Sequence, residues 1–226
     1  MRTRSIACVG IVTMLSALGL ARPALAGPPL LCHPYEIGAA KSLPWKGQDW
    51  WPGRDDYKVA NLVADTQALL TAEMPVIVRM ETLRRATIYA TRDRNVATQL
   101  LATIVKRAHT LERDGHPDAL AWLDAAYITE ALRQVEDLAG MSNNSPFRDG
   151  VRAVQGLTAG ADGYALILKS LELRPDEASI QFAAALIAAR DSGSAGNSPK
   201  YEQHAQKARE GAKRDALLAR TLGHIS

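Results

Sequence analysis

Apolar residues recur at helical spacing along most of this chain and give way to a breaker-rich pattern near its start. From about Lys58, the positions Val59, Leu62, Val63, Leu69 and Leu70 predict an amphipathic helix ending near Glu73. Pro75 suits the first turn of a second helix, with Val76, Met80, Leu83 and Thr87 on one face and Arg79, Arg84 and Arg85 elsewhere. The clearest pair follows: Ala97, Leu100, Leu101, Ile104, Ala108 and Leu111, then Leu120, Leu123, Tyr127, Ala131, Val135 and Leu138. Between them, Asp114-Gly115-His116-Pro117 supplies a stop glycine and a start proline, so the two helices are antiparallel neighbours. Residues 140–149 read as a loop and a candidate break between two sub-bundles. A short helix over 150–157, helices over Tyr164–Leu173 and Glu177–Arg190, a polar linker over Asp191–Ser198 and a last helix from Pro199 complete the pattern. The prediction is an all-α fold of six to eight helices in antiparallel pairs.

The first 57 residues do not follow that period. Arg2 and Arg4 precede an almost wholly apolar run from Ile6 to Leu20, and Ala24-Leu25-Ala26 then gives a small-x-small cleavage pattern. That layout predicts a secretory signal peptide over 1–26 and a mature chain from Gly27, exported to the periplasm or secreted. The run is shorter than the roughly 20 residues of a membrane span, and nothing later supplies one. Residues 27–57 hold five Pro and four Gly, too many breakers for a helix. They also hold Trp45, Trp50 and Trp51, three of the four Trp. So aromatic a segment is expected to lie as an extended arm across the helical domain of 58–226.

Charge narrows the partners. The chain has 27 basic and 24 acidic residues, and the leader takes Arg2, Arg4 and Arg22 but no acid, leaving 24 of each. A mature chain without net charge lacks the global field that draws proteins to nucleic acid, so no nucleic-acid partner is expected. Cys8 leaves with the leader, so Cys32 has no internal disulfide partner. Two Phe among abundant Ala and Leu suit closely packed helices better than a β-sandwich.

One stretch carries a resemblance. Ser170-Leu171-Glu172-Leu173-Arg174-Pro175 resembles the end of the second helix of a tetratricopeptide repeat, and Ala184 and Ala185 fall where the next repeat's first helix packs closely. The resemblance covers about residues 161–190 and implies stacked helix pairs whose concave face binds partner proteins. Gly163 and Gln181 depart from the pattern, where Ala and a large apolar residue are usual. The block from Gly27 to Trp45 also resembles the start of uncharacterised secreted bacterial proteins, a likeness that implies no activity.

Candidate chemistry is sparse. There is no Gly-x-Ser-x-Gly elbow, phosphate-binding Gly-rich loop or His-Glu-x-x-His helix, so no catalytic residue and no cofactor is assigned. His109, Glu112 and His116 share helical spacing but straddle the Gly115 stop, which favours a polar helix end over a metal site. Cys32 and His33 are weak candidates for a soft metal such as copper or zinc. Arg79, Arg84, Arg85, Arg92 and Arg94 read as a solvated basic face, with Arg84 and Arg85 kept as candidate binding residues. Trp45, Trp50, Trp51 and Tyr57 either strap the arm down or form a recognition surface. The leading expectation is a non-catalytic exported helical-repeat protein that binds a protein or peptide in the bacterial envelope. The alternative is a cell-envelope glycan binder or enzyme that uses the Trp-rich arm with Glu36, Asp55 or Asp56.

Overall fold

A computed structural model of the chain describes residues 30–47, 51, 53–141, 148, 150–189 and 198–225. The expected leader over 1–26, Trp50, much of the 140–149 loop and most of the 191–198 linker lie outside the described residues. Those residues form nine α-helices: α1 (Leu62–Leu69), α2 (Val76–Ala90), α3 (Arg94–Arg113), α4 (Ala119–Met141), α5 (Val151–Val154), α6 (Gly163–Leu173), α7 (Ala178–Ala188), α8 (Pro199–Gly211) and α9 (Ala216–Thr221). No strand occurs among the described residues. The all-α expectation holds.

Local chemistry sets the helix ends. α3 begins three residues before its first core position because Asp93 accepts from the Asn95 and Val96 amides. Asp162, Ser198 and Asp215 cap α6, α8 and α9 in the same way, each contact contributing about 1 kcal/mol. Gly115 stops α3 with φ at 78° and lets the His116 amide return to the Leu111 carbonyl. α4 then runs back along α3.

Two helices form the centre. α4 packs against α2, α3, α5, α6 and α7, and every residue from Ala119 to Leu132 is buried. In α2 every residue except Arg85 is buried. The expectation of a solvated basic face is therefore wrong for α2: Arg79 and Arg84 are 0% exposed. They are buried because partners await them inside. Arg79 donates to Asp124 Oδ2 on α4 at 2.6 Å and to the Thr71 carbonyl. Arg84 Nε and Nη2 both donate to Glu81, at 2.7 and 2.8 Å. Burial pushes the Asp124 carboxyl up to about 7, more than the Arg79 and Arg107 guanidiniums pull it down. Arg92 and Arg94 do stay exposed.

The C-terminal helices pack through small residues. Ala183, Ala184 and Ala185 of α7 and Ala205, Ala208 and Ala212 beside them are all buried, and Gly211 meets the Ala178 methyl so closely that a Cβ would not fit. Both departures from the repeat pattern have a local cause. A Cβ on Gly163 would strike Glu130, whose Oε1 accepts from the Gly163 amide at 3.0 Å. Gln181 is buried but saturated: Nε2 donates to the Pro175 carbonyl and Oε1 faces His204 Nδ1, each at 2.7 Å. The helices on both sides of 140–149 share one hydrophobic core, which also includes Leu30, Leu31, Tyr35 and Leu43 from the arm.

Removing one member of a buried ion pair leaves the other uncompensated. Glu81→Leu is expected to lower the unfolding free energy by about 3–5 kcal/mol, read as a drop in the urea midpoint followed by circular dichroism. A midpoint shift no larger than that of Glu73→Leu on the exposed α1–α2 turn would show that the cluster contributes nothing.

Candidate functional site

The arm is a strap, held by backbone groups that find partners on α2 and α4. The Leu30 amide donates to Gln134 Oε1 at 3.0 Å and the Leu30 carbonyl accepts from the Tyr127 hydroxyl at 2.7 Å. The Tyr35 amide donates to Glu81 Oε2 at 3.1 Å, and the Leu31 carbonyl accepts from Arg84 Nη1 at 3.1 Å. Arg85 Nη1 reaches the Leu43 carbonyl at 2.7 Å. Tyr89 both donates to the Pro44 carbonyl at 2.6 Å and accepts from the Arg54 amide at 3.0 Å. Extended chain offers no internal hydrogen bonds, so its burial requires these outside partners.

Several predicted residues meet here. The Arg84 and Arg85 guanidiniums lie over the Trp45 ring at 4.9 and 5.6 Å from its centroid, within cation–π range. Tyr57 packs on Tyr89 with centroids 4.3 Å apart and donates to Asp65. Trp51 is half-buried against the core, and Trp50 lies outside the described residues. Arg84, enclosed and paired with Glu81, has no surface left for a ligand. Arg85 has, because 16% of its side chain stays exposed.

Trp45 lines two recesses. One, of about 520 Å³, lies between the arm (Pro34 to Gly38, Trp45, Gly47), α2 (Glu81, Arg85) and α9 (Arg220). The other is a smaller recess of about 350 Å³ beside Lys46, Arg54, Asp55 and Asp56. Asp56 is held by Arg54 at 2.6 Å, which lowers its carboxyl below the usual range. Glu36 and the two aspartates thus line different recesses.

The metal candidates do not converge. Among the described residues no three His, Cys, Asp or Glu side chains are grouped to hold an ion. Glu112 is taken by Lys169 at 2.8 Å, and His109 stands edge-on to Trp122 at 4.9 Å. Cys32 is half-buried, and burial pushes its thiol up to about 11. His33 lies 5.9 Å from the ring of His224, which stacks on Tyr35 at 5.0 Å.

A second site was missing from the sequence reading. α3 and α6 each pack on α4, leaving between them a groove of about 570 Å³. Leu101, Ala102, Val105, Leu157, Ala161 and Leu166 give it apolar walls, with Lys106, His109 and Asp162 also lining it. Thr129 of α4 lines it too, 1% exposed, with a buried hydroxyl that has no hydrogen-bond partner among the described residues. The available signal was the width of the α3 stripe: Ala97, Leu100, Ile104 and Ala108 are buried, while Leu101 and Val105 on the shoulder are half-buried. Two contacts bracket the groove. Arg94 at the start of α3 donates to the Arg152 and Gln155 carbonyls, and Lys169 of α6 bonds Glu112 near the end of α3. No family model matches the chain, and no curated protein or solved structure shows significant similarity to it.

The C-terminal turn Leu222–Ile225, packed on the arm through the stack of His224 on Tyr35, contains an acid-sensitive group. Burial first, then the neighbouring His33 and Arg84 charges, lower His224 to about 4, with Glu81 acting the other way. An unfolded histidine titrates near 6.5, so the unfolded chain binds the extra proton between about pH 6.5 and 4. The stability contributed by neutral His224 is therefore full above pH 6.5 and is lost as pH falls towards 4. The stability difference between the parent and His224→Gln is expected to move against the parent by about 3 kcal/mol from pH 7 to pH 4, in paired urea melts. Parallel curves across that window would refute it.

Proposed function

We propose that this protein is a non-catalytic exported helical protein that binds a short apolar peptide segment of a partner in the groove between α3 and α6. The groove itself carries the reading. Its volume lies within the roughly 300–1,000 Å³ typical of ligand pockets, and its walls are apolar while its ionisable groups are few and spread along them. Along α3, Thr98 to His109 spans about 16 Å at the helical rise, room for an amphipathic segment that seats apolar side chains one turn apart. The buried Thr129 hydroxyl offers that segment a hydrogen bond. Lys106 makes no ion pair among the described residues and so favours an acidic flank on the partner.

Two features support the wider reading. The basic head, apolar run and small-x-small site of residues 1–26 support export. The α6-turn-α7 unit, with Pro175 in the turn, supports kinship with tetratricopeptide helix pairs.

Short displayed peptides selected against the mature protein test the proposal. Enriched sequences are expected to carry apolar residues at helical spacing beside acidic ones, and to lose at least about 10-fold in affinity against Val105→Arg. Val105 is half-buried on the groove wall, so the variant is expected to keep the parent's melting temperature. Selected peptides that bind parent and variant equally would sink the groove as the site.

A further inference from the structure

The recess under the arm is assembled from three distant parts of the chain: the arm, α2 and the C-terminal helix α9. Its charge distribution is uneven. Glu81 is fully occupied, because its two oxygens accept from Arg84 Nε, Arg84 Nη2, Arg85 Nε and the Tyr35 amide. Although burial alone would raise it, the guanidiniums of Arg84 and Arg85 hold its carboxyl below the usual range. One carboxylate thus faces two guanidiniums, and of the two it is Arg85, part exposed, that lines the cavity.

Arg85 uses Nε for Glu81 and Nη1 for the Leu43 carbonyl. Its Nη2 has no partner among the described residues, and the side chain is 16% exposed. Arg220 lines the same cavity from α9, is exposed and makes no ion pair among the described residues. Two guanidinium groups with free donors therefore border one recess. A guanidinium fork matches the paired oxygens of a carboxylate or a phosphate, and the sugar-sized recess beside it favours the carboxylate of an acidic sugar.

The remaining walls are those of a sugar site. Trp45 supplies aromatic surface, which suits the C–H face of a pyranose ring. Glu36 supplies an exposed carboxylate acceptor for ring hydroxyls. Gly38 and Gly47 lie on the border, where even an added Cβ would meet nothing, so the rim stays open. At about 520 Å³ the recess has room for roughly one or two sugar rings.

We infer that this recess binds an acidic saccharide, with the uronate-type carboxylate on Arg85 and Arg220, the ring against Trp45 and a hydroxyl on Glu36. The site is separate from the α3–α6 groove and shares no lining residue with it. It stands whether or not the groove binds peptide. Because its walls come from the arm and α9, occupancy also ties both chain ends to α2.

Isothermal titration of the mature protein with a di-uronate, glucose, acetate and inorganic phosphate tests it. The di-uronate is expected to bind at least about 10-fold more tightly than the other three. Arg220→Gln is expected to weaken it by about 10-fold or more with an unchanged melting temperature, since Arg220 is exposed and makes no ion pair among the described residues. Trp45→Phe is expected to weaken it as well, while Val105→Arg leaves it unaltered. Acetate or phosphate binding as tightly as the di-uronate would reduce the site to a simple anion site and overturn the proposal. So would full affinity in Arg220→Gln, or no heat from the di-uronate at millimolar protein.

Discussion

The carboxylate of Glu81 is the interaction on which the rest depends. It sits inside α2, where an isolated charge would cost several kcal/mol, and it is tolerable only because Arg84, Arg85 and the Tyr35 amide surround it. Each of those partners then reaches further. Arg84 bonds the Leu31 carbonyl, Arg85 bonds the Leu43 carbonyl, and both guanidiniums cover Trp45. One buried anion therefore fixes two guanidiniums, and these fix a stretch of arm with no regular structure of its own.

The same logic recurs elsewhere in the fold. Asp124 holds Arg79, and Arg79 holds the Thr71 carbonyl in the turn before α2. Glu130 holds Arg133 and the Gly163 amide, fastening the start of α6 to α4. Gln181 joins the α6–α7 turn to His204 of α8. Apolar contact brings the helices together, and these buried polar groups choose which surfaces meet. That division gives the two recesses different character: polar links bracket the α3–α6 groove at its ends, whereas they crowd the walls of the recess under the arm.

The helical order of the chain was legible because it is set by near neighbours. Period, caps and breakers placed α2, α3, α4, α6, α7 and the start of α8 within a few residues, since Asp93, Pro75, Gly115 and Pro175 act on backbone next to them. α9, beginning after the Asp215 cap, was not separated from α8, because Ala212 and Leu217 keep an apolar spacing through the break. The clustering of Trp45 with Arg84 and Arg85 was legible only as a list of residue types, without their roles.

The sequence by itself determined an all-α chain, its helix order and the presence of an aromatic arm, because those follow from spacing and turn chemistry within a few residues. Tertiary structure alone decided that Arg79 and Arg84 are interior and that the arm is a strap. It also decided that Leu101 and Val105 line a groove and that Arg220 borders the recess of Arg85. The reason is physical. A charged side chain reads as solvated until its counter-ion is known, and the counter-ion of Arg79 and the hydrogen-bond partners of the arm's backbone lie roughly 45 to 100 residues away in sequence. Charge type is local information, whereas charge burial depends on the partner that the fold delivers.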